Sequence, residues 1–154
     1  MYVLDTSIIS ALHKNYYPSR FVSLWDSFDD LIAQGLISSV REVFRELDDF
    51  GGDSFEWAEK NVELFHVPDA KEGLFVASIY SNIHFQANIE KQKILNGGKN
   101  ADPFLIARAA SIGATLVTVE QFKPNAAKIP NICDYFKVPC IDLLGFMEKE
   151  GWVF

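Results

Sequence analysis

The chain has 154 residues, 49% of them apolar and 13 of them Phe, so it carries the apolar surface for one packed domain, residues 1–154, and not the composition of a disordered chain. Lys and Arg number 14 against 21 Asp and Glu, giving 14 − 21 = −7, which weighs against gripping nucleic acid by bulk positive charge but leaves room for carboxylates gathered around a divalent cation. Cys133 and Cys140 suggest neither a disulfide framework nor a four-ligand zinc site, and with no signal-peptide pattern and no membrane-spanning run the expected home is the cytoplasm, with no membrane partner.

"YVL" at 2–4 predicts a short strand ending at Asp5, and "TSIISALHK" after it predicts a helix. Pro18 opens an amphipathic stretch running to Gly35, with Phe21, Leu24, Trp25, Phe28, Leu31 and Ile32 on one helical face. "LIS" at 36–38 predicts a second strand. Ser38 or Ser39 then caps the helix "VREVFRELDDF", which points Val40, Val43, Phe44 and Leu47 inward and stops at Gly51-Gly52. "SFEWAEKNVELF" and "AKEGLFVASIYSNI" predict two further helices, separated by Val67-Pro68. The polar segment 86–100 gives no clear element, and "NGGKN" within it reads as a mobile loop.

Pro103 sits in the first turn of a helix bearing Phe104, Leu105, Ala107 and Ala110, which Gly113 ends. "ATLVT" predicts a buried strand, "NICDYFK" a short helix, "PCIDL" a strand and "LLGFMEKEG" a last helix. Strands alternating with helices imply an α/β fold with a mostly parallel sheet, since parallel neighbours need crossover connections. Ligands of such sheets collect beyond the carboxyl ends of the strands, which sets Asp5 and Glu120 on one edge.

Four acids stand out: Asp5, Glu46, Asp102 and Glu120. Singly, each has an ordinary explanation. Asp5 and Asp102 are good helix caps, Glu120 can be a loop residue, and Glu42 lies one turn before Glu46 on the same face, so spacing does not choose between those two. Together they aim carboxylates at one sheet edge, where their mutual repulsion favours a bound cation. An oxygen-only set suits Mg²⁺ or Mn²⁺ better than zinc, and His13, His66 and His84 show no ligand spacing. Such an ion activates water and stabilises charge on a phosphodiester, which points to phosphodiester hydrolysis.

"YVLDTS", "ISSVREVFREL" and "ADPFLIARAASIGATLVTVE" together resemble the PIN-domain ribonucleases, and the ending "VPCIDLLGFMEKEGW" resembles a small prokaryotic branch of that family. The resemblance spans nearly the whole chain in order. It implies a three-layer α/β/α sandwich, metal-binding and catalytic roles for Asp5, Glu46, Asp102 and Glu120, and supporting roles for Thr6, Ser7 and Thr118. It favours Glu46 over Glu42, because Glu46 is the glutamate followed by Leu. The family more often has Asp where Glu120 stands.

The resemblance further implies a Mg²⁺- or Mn²⁺-dependent ribonuclease, often the toxin of a toxin–antitoxin pair restrained by a small antitoxin protein, and often a homodimer; because the deep groove of a regular duplex resists side-chain readout, an unpaired or looped RNA segment is the expected substrate. Helices at 18–34 and 55–65 are candidate interfaces, or else cover the sheet. Arg41, Arg45, Lys99, Lys123 and Lys128 are candidate RNA contacts, each also readable as plain surface charge. The alternative from a different class is a catalytically inactive PIN-fold module that binds RNA or protein. An aspartyl phosphotransferase needs a second Asp where Ser7 stands, and "GGK" at 97–99 lacks the spacing of a phosphate-binding loop.

Overall fold

The computed structural model describes residues 1–87 and 100–154, so Lys99 and nearly all of the expected 96–100 loop lie outside the described residues. In chain order the elements are β1 (Tyr2–Leu4), α1 (Thr6–Asn15), α2 (Val22–Ala33), β2 (Ile37–Val40), α3 (Arg41–Phe50) and α4 (Gly52–Lys60). A short 3₁₀ turn (Val62–Leu64) then leads into β3 (Phe65–His66) and α5 (Ala70–Tyr80). After the undescribed segment come α6 (Asp102–Ile112), β4 (Thr115–Val117), α7 (Ile129–Phe136), β5 (Cys140–Ile141) and α8 (Leu143–Glu150).

The strands form one five-stranded sheet in the order β3-β2-β1-β4-β5, and every pairing is parallel. In register, Val3 of the central strand lies between Ser38 and Leu116. Tyr2, Val3 and Leu4 are all buried, as expected of a strand covered on both faces, so its sequence is continuously apolar and not alternating. The chain moves outward from β1 through β2 to β3, then returns to place β4 on the other side of β1. With right-handed crossovers, that reversal sends the connecting helices to opposite faces and gives the α/β/α sandwich.

Several predicted boundaries move. The helix expected from Pro18 begins at Val22, leaving Phe21 exposed outside it, because Tyr17 to Phe21 are taken up by a turn closed from the Tyr17 carbonyl. Ser38 and Ser39 cap nothing: both lie within β2, and Ser39 Oγ donates to the Leu4 carbonyl at 2.8 Å. The single helix expected over 54–65 is broken at Asn61, which frees Phe65 and His66 to pair with Ser39 and Val40 as β3. Parallel pairing with β2 outweighs the local helical periodicity. Gly113 ends α6 with φ 64°, a left-handed conformation open to Gly at no steric cost.

The helices at 18–34 and 55–65 do cover the core. Trp25, Trp57 and Phe28 pack around the buried His13, whose ring centroid lies 4.6 Å from that of Trp25 and 5.8 Å from that of Trp57. Fully burying a side chain such as Phe28 contributes about 2–3 kcal/mol. Among the described residues no helix is long and apolar enough to cross a membrane.

Candidate functional site

The strand order reverses between β1 and β4, and in an open parallel sheet that reversal leaves a crevice at the strands' carboxyl ends. Asp5 directly follows β1, and Thr118 and Glu120 follow β4. The helix α6 packs on β1, β2 and β4 and leads back to the start of β4, so its first residue, Asp102, lies at the same carboxyl edge. Packing of α1 on α3 brings Glu46, one turn into α3, against the start of α1.

Hydroxyl groups knit these acids together. Ser7 Oγ and Thr118 Oγ1 both donate to Asp5 Oδ2, at 2.6 and 2.8 Å. Thr6 Oγ1 donates to Glu46 Oε2 at 2.5 Å, while the Ala101 amide donates to Glu46 Oε1 at 3.2 Å. The Val119 and Glu120 amides in turn donate to Ser7 Oγ and Thr118 Oγ1, each at 3.2 Å. Four segments remote in sequence, 5–7, 46, 101 and 118–120, therefore share one network. Glu120 has one oxygen committed elsewhere, since its Oε2 accepts the Ile129 amide at the start of α7 at 2.9 Å.

Burial pushes the Asp102 carboxyl well above the ordinary carboxylate range, and the charges of Asp5, Glu120 and Glu46 push it further. Burial likewise raises Asp5, against the hydroxyls of Ser7 and Thr118, which stabilise its charged form. Glu46 is raised by burial and by Asp5, opposed by Thr6. Burial raises Glu120 too, with the Ile129 amide and Lys128 pulling down and Asp5 pushing up. Four acids from four segments thus sense one another electrostatically.

Glu46 and Glu42 have different partners in the structure. Glu42 turns away to Arg41, 2.9 Å from its Nη2, and leaves its Oε2 buried without a partner. That pairing also engages Arg41, whereas Arg45, Lys123 and Lys128 are exposed. Sequence reasoning passed over two features. Asn100 is buried beside Asp102 and accepts its amide at 3.1 Å, and Arg108 bridges Glu72 at 3.2 Å and Ser38 at 3.3 Å. An arginine inside the apolar run "FLIARAAS" was the available signal for the second.

Among the described residues no three His, Cys, Asp or Glu side chains converge at metal-ligating geometry, so the acids form a linked cluster and not a finished coordination shell. Their chemistry nevertheless fits a hard divalent ion. The acids around Asp102 offer oxygen donors, with the Cys133 thiol also near enough to feel Asp102 and Glu120, and Asp102 Oδ2 is sealed from solvent without any hydrogen-bond partner. A buried carboxylate oxygen left unpaired is the position a cation satisfies.

Fold and site together define an α/β/α protein with an acidic crevice at the switch point of its five-stranded parallel sheet. The profile of the family described as "Domain of unknown function (DUF4411)" matches residues 2–154, and the chain belongs to that family. No curated protein matches the chain. Among solved structures, it is similar to VapBC-1 from nontypeable Haemophilus influenzae, with 20% identity, a TM-score of 0.48, and 92% of this chain and 96% of that one covered. It is also similar to VapBC2 from Rickettsia felis bound to a DNA fragment from their promoter, with 17% identity, a TM-score of 0.48, and coverage of 92% and 97%.

Proposed function

We propose that this chain is a divalent-metal-dependent endoribonuclease that hydrolyses phosphodiester bonds of unpaired RNA, acting as the toxin of a toxin–antitoxin pair. The observation that carries the reading is the electrostatic linkage of Asp5, Glu46, Asp102 and Glu120 at one sheet edge, tied by Thr6, Ser7 and Thr118. The resemblance of the three motif segments to PIN-domain ribonucleases supplies the substrate class and the restraining antitoxin.

Asp5, Glu46, Asp102 and Glu120 are the residues that would hold Mg²⁺ or Mn²⁺, and the ion, when bound, supplies positive charge toward a phosphate and acidifies water. Thr118 and Ser7 fix the Asp5 carboxylate, and Thr6 fixes Glu46, so the chain orients its acids before substrate arrives. Burial of Asp102 keeps bulk water from satisfying its Oδ2. Arg45, Lys123 and Lys128 remain candidate phosphate contacts, as local cations on a chain of charge −7. A homodimer is compatible with this reading.

A scaffold reading, in which the fold binds RNA or protein without cutting, draws on the lack of a ready three-ligand metal cluster among the described residues. Metal-dependent cutting separates the two. Purified protein freed of any antitoxin is expected to cut single-stranded RNA with Mg²⁺ or Mn²⁺ and not with EDTA, and Asp5→Asn or Asp102→Asn to abolish cutting. Equal cutting by those variants and wild type overturns the site assignment.

A further inference from the structure

Beside the acidic crevice, residues 123–128 together with His84 and Ala87 line a cavity of about 430 Å³. The loop forming its wall is fixed at several points. Glu120 Oε2 accepts from the Ile129 amide, Asn131 Nδ2 donates to the Lys123 carbonyl at 2.7 Å, and the Ala126 amide donates to the same carbonyl at 3.0 Å. His84 Nε2 reaches the Ala126 carbonyl at 3.2 Å from across the cavity. Asn125 supplies the left-handed turn residue, with φ 63°.

Two lysines and a histidine therefore line one concavity with no acid among its described lining residues, on a protein whose net charge is −7. Neither lysine makes a salt bridge with another described residue. Lys128 is close enough to Glu120 to hold down its carboxyl, which fixes the cavity next to the acidic cluster. Phe122, which is not among the lining residues but immediately precedes Lys123, is 56% exposed and offers an aromatic ring of the kind on which an unpaired base stacks.

We infer that this cavity is a nucleotide subsite: Lys123, Lys128 and His84 receive the phosphate, and Phe122 the base, of the nucleotide flanking the scissile bond. The inference rests on the nuclease reading for the polymer to which that nucleotide belongs, but the subsite itself is defined by its cations and its ring. Anchoring of the loop fixes the backbone from which Lys123 and Lys128 extend, which limits the ordering cost of capture to their side chains.

Uridine 5′-monophosphate tests this directly, because it has no phosphodiester to cut. Titrated into ¹⁵N-labelled protein, it is expected to shift the amides of His84 and residues 122–128 saturably, with uridine and inorganic phosphate each binding at least fivefold more weakly. Lys123→Ala/Lys128→Ala is expected to weaken the nucleotide at least tenfold at unchanged melting temperature, and to raise KM for RNA at least fivefold. Absence of saturable shifts, equal binding by the double variant, or inorganic phosphate binding as tightly as the nucleotide overturns the inference. Nucleotide binding by a protein that cuts no RNA supports the subsite while removing the nuclease reading. RNA cutting with KM and nucleotide affinity unaltered in the double variant removes the subsite and leaves the nuclease.

Discussion

Replacing Asp102 by Asn should stabilise the metal-free protein. Asp102 Oδ2 is buried with no partner, and Asp5, Glu120 and Glu46 each raise the cost of charging it. A buried polar atom left unpaired costs about 1–3 kcal/mol, and the amide that replaces it still wants partners of its own, so the net gain expected is about 1–2 kcal/mol. For a domain of this length that is a rise in Tm of ~2–8 °C. The sign with pH is fixed by the direction of the shift. The folded-state pKa lies above the ordinary 3.8, so the favourable contribution of protonated Asp102 is present below that value and is lost as pH rises through the folded pKa. Wild type and Asp102→Asn should therefore melt together near the acid end and diverge as pH rises to 8. Thermal melts by circular dichroism in EDTA across that range measure the gap. A variant melting below wild type at neutral pH, or a gap independent of pH, refutes the electrostatic account of the site.

Thr118→Val removes a donor to Asp5 and an acceptor for the Glu120 amide, and should cost about 1–3 kcal/mol in urea denaturation together with at least tenfold in RNA cutting; unchanged cutting would show that Asp5 needs no such support. Arg108→Met strands the buried Glu72 carboxylate and should destabilise by about 3 kcal/mol, measured by the urea midpoint, with a loss under about 1 kcal/mol counting against a structural ion pair. Burial lowers the His13 pKa below its ordinary 6.5, so its contribution to stability is present above that value and is lost as pH falls toward the folded pKa. Denaturation at pH 7.5 and 5 should show a loss in wild type that His13→Phe reduces; an equal loss in both assigns the acid sensitivity elsewhere.

Local chemistry made much of this protein legible. The apolar run Tyr2–Leu4 and the β-branched, apolar stretch Thr115–Val117 marked the two central strands, because a strand buried on both faces has no exposed polar side to alternate with. Pro103 and Gly113 marked the ends of α6 through restrictions that act within one turn. Asp5 and Asp102 were legible for the same reason, since each sits where a strand ends or a helix begins. Glu46 was identified through resemblance to a family motif; helical spacing alone left Glu42 equally eligible.

What settled their places was long-range packing. Glu46 joins the cluster because α1 lies on α3 and brings Thr6 within 2.5 Å, while Glu42, one turn earlier, meets Arg41. Nor does any local pattern specify β3, whose two residues become a strand only by pairing with β2. The linkage of Arg108 to Glu72 spans 36 positions, and that of Thr118 to Asp5 spans 113. Hydrogen bonds and charge–charge coupling act over a few ångströms in space, so periodicity along the chain determined which elements form, and the closure of the sheet decided which side chains meet.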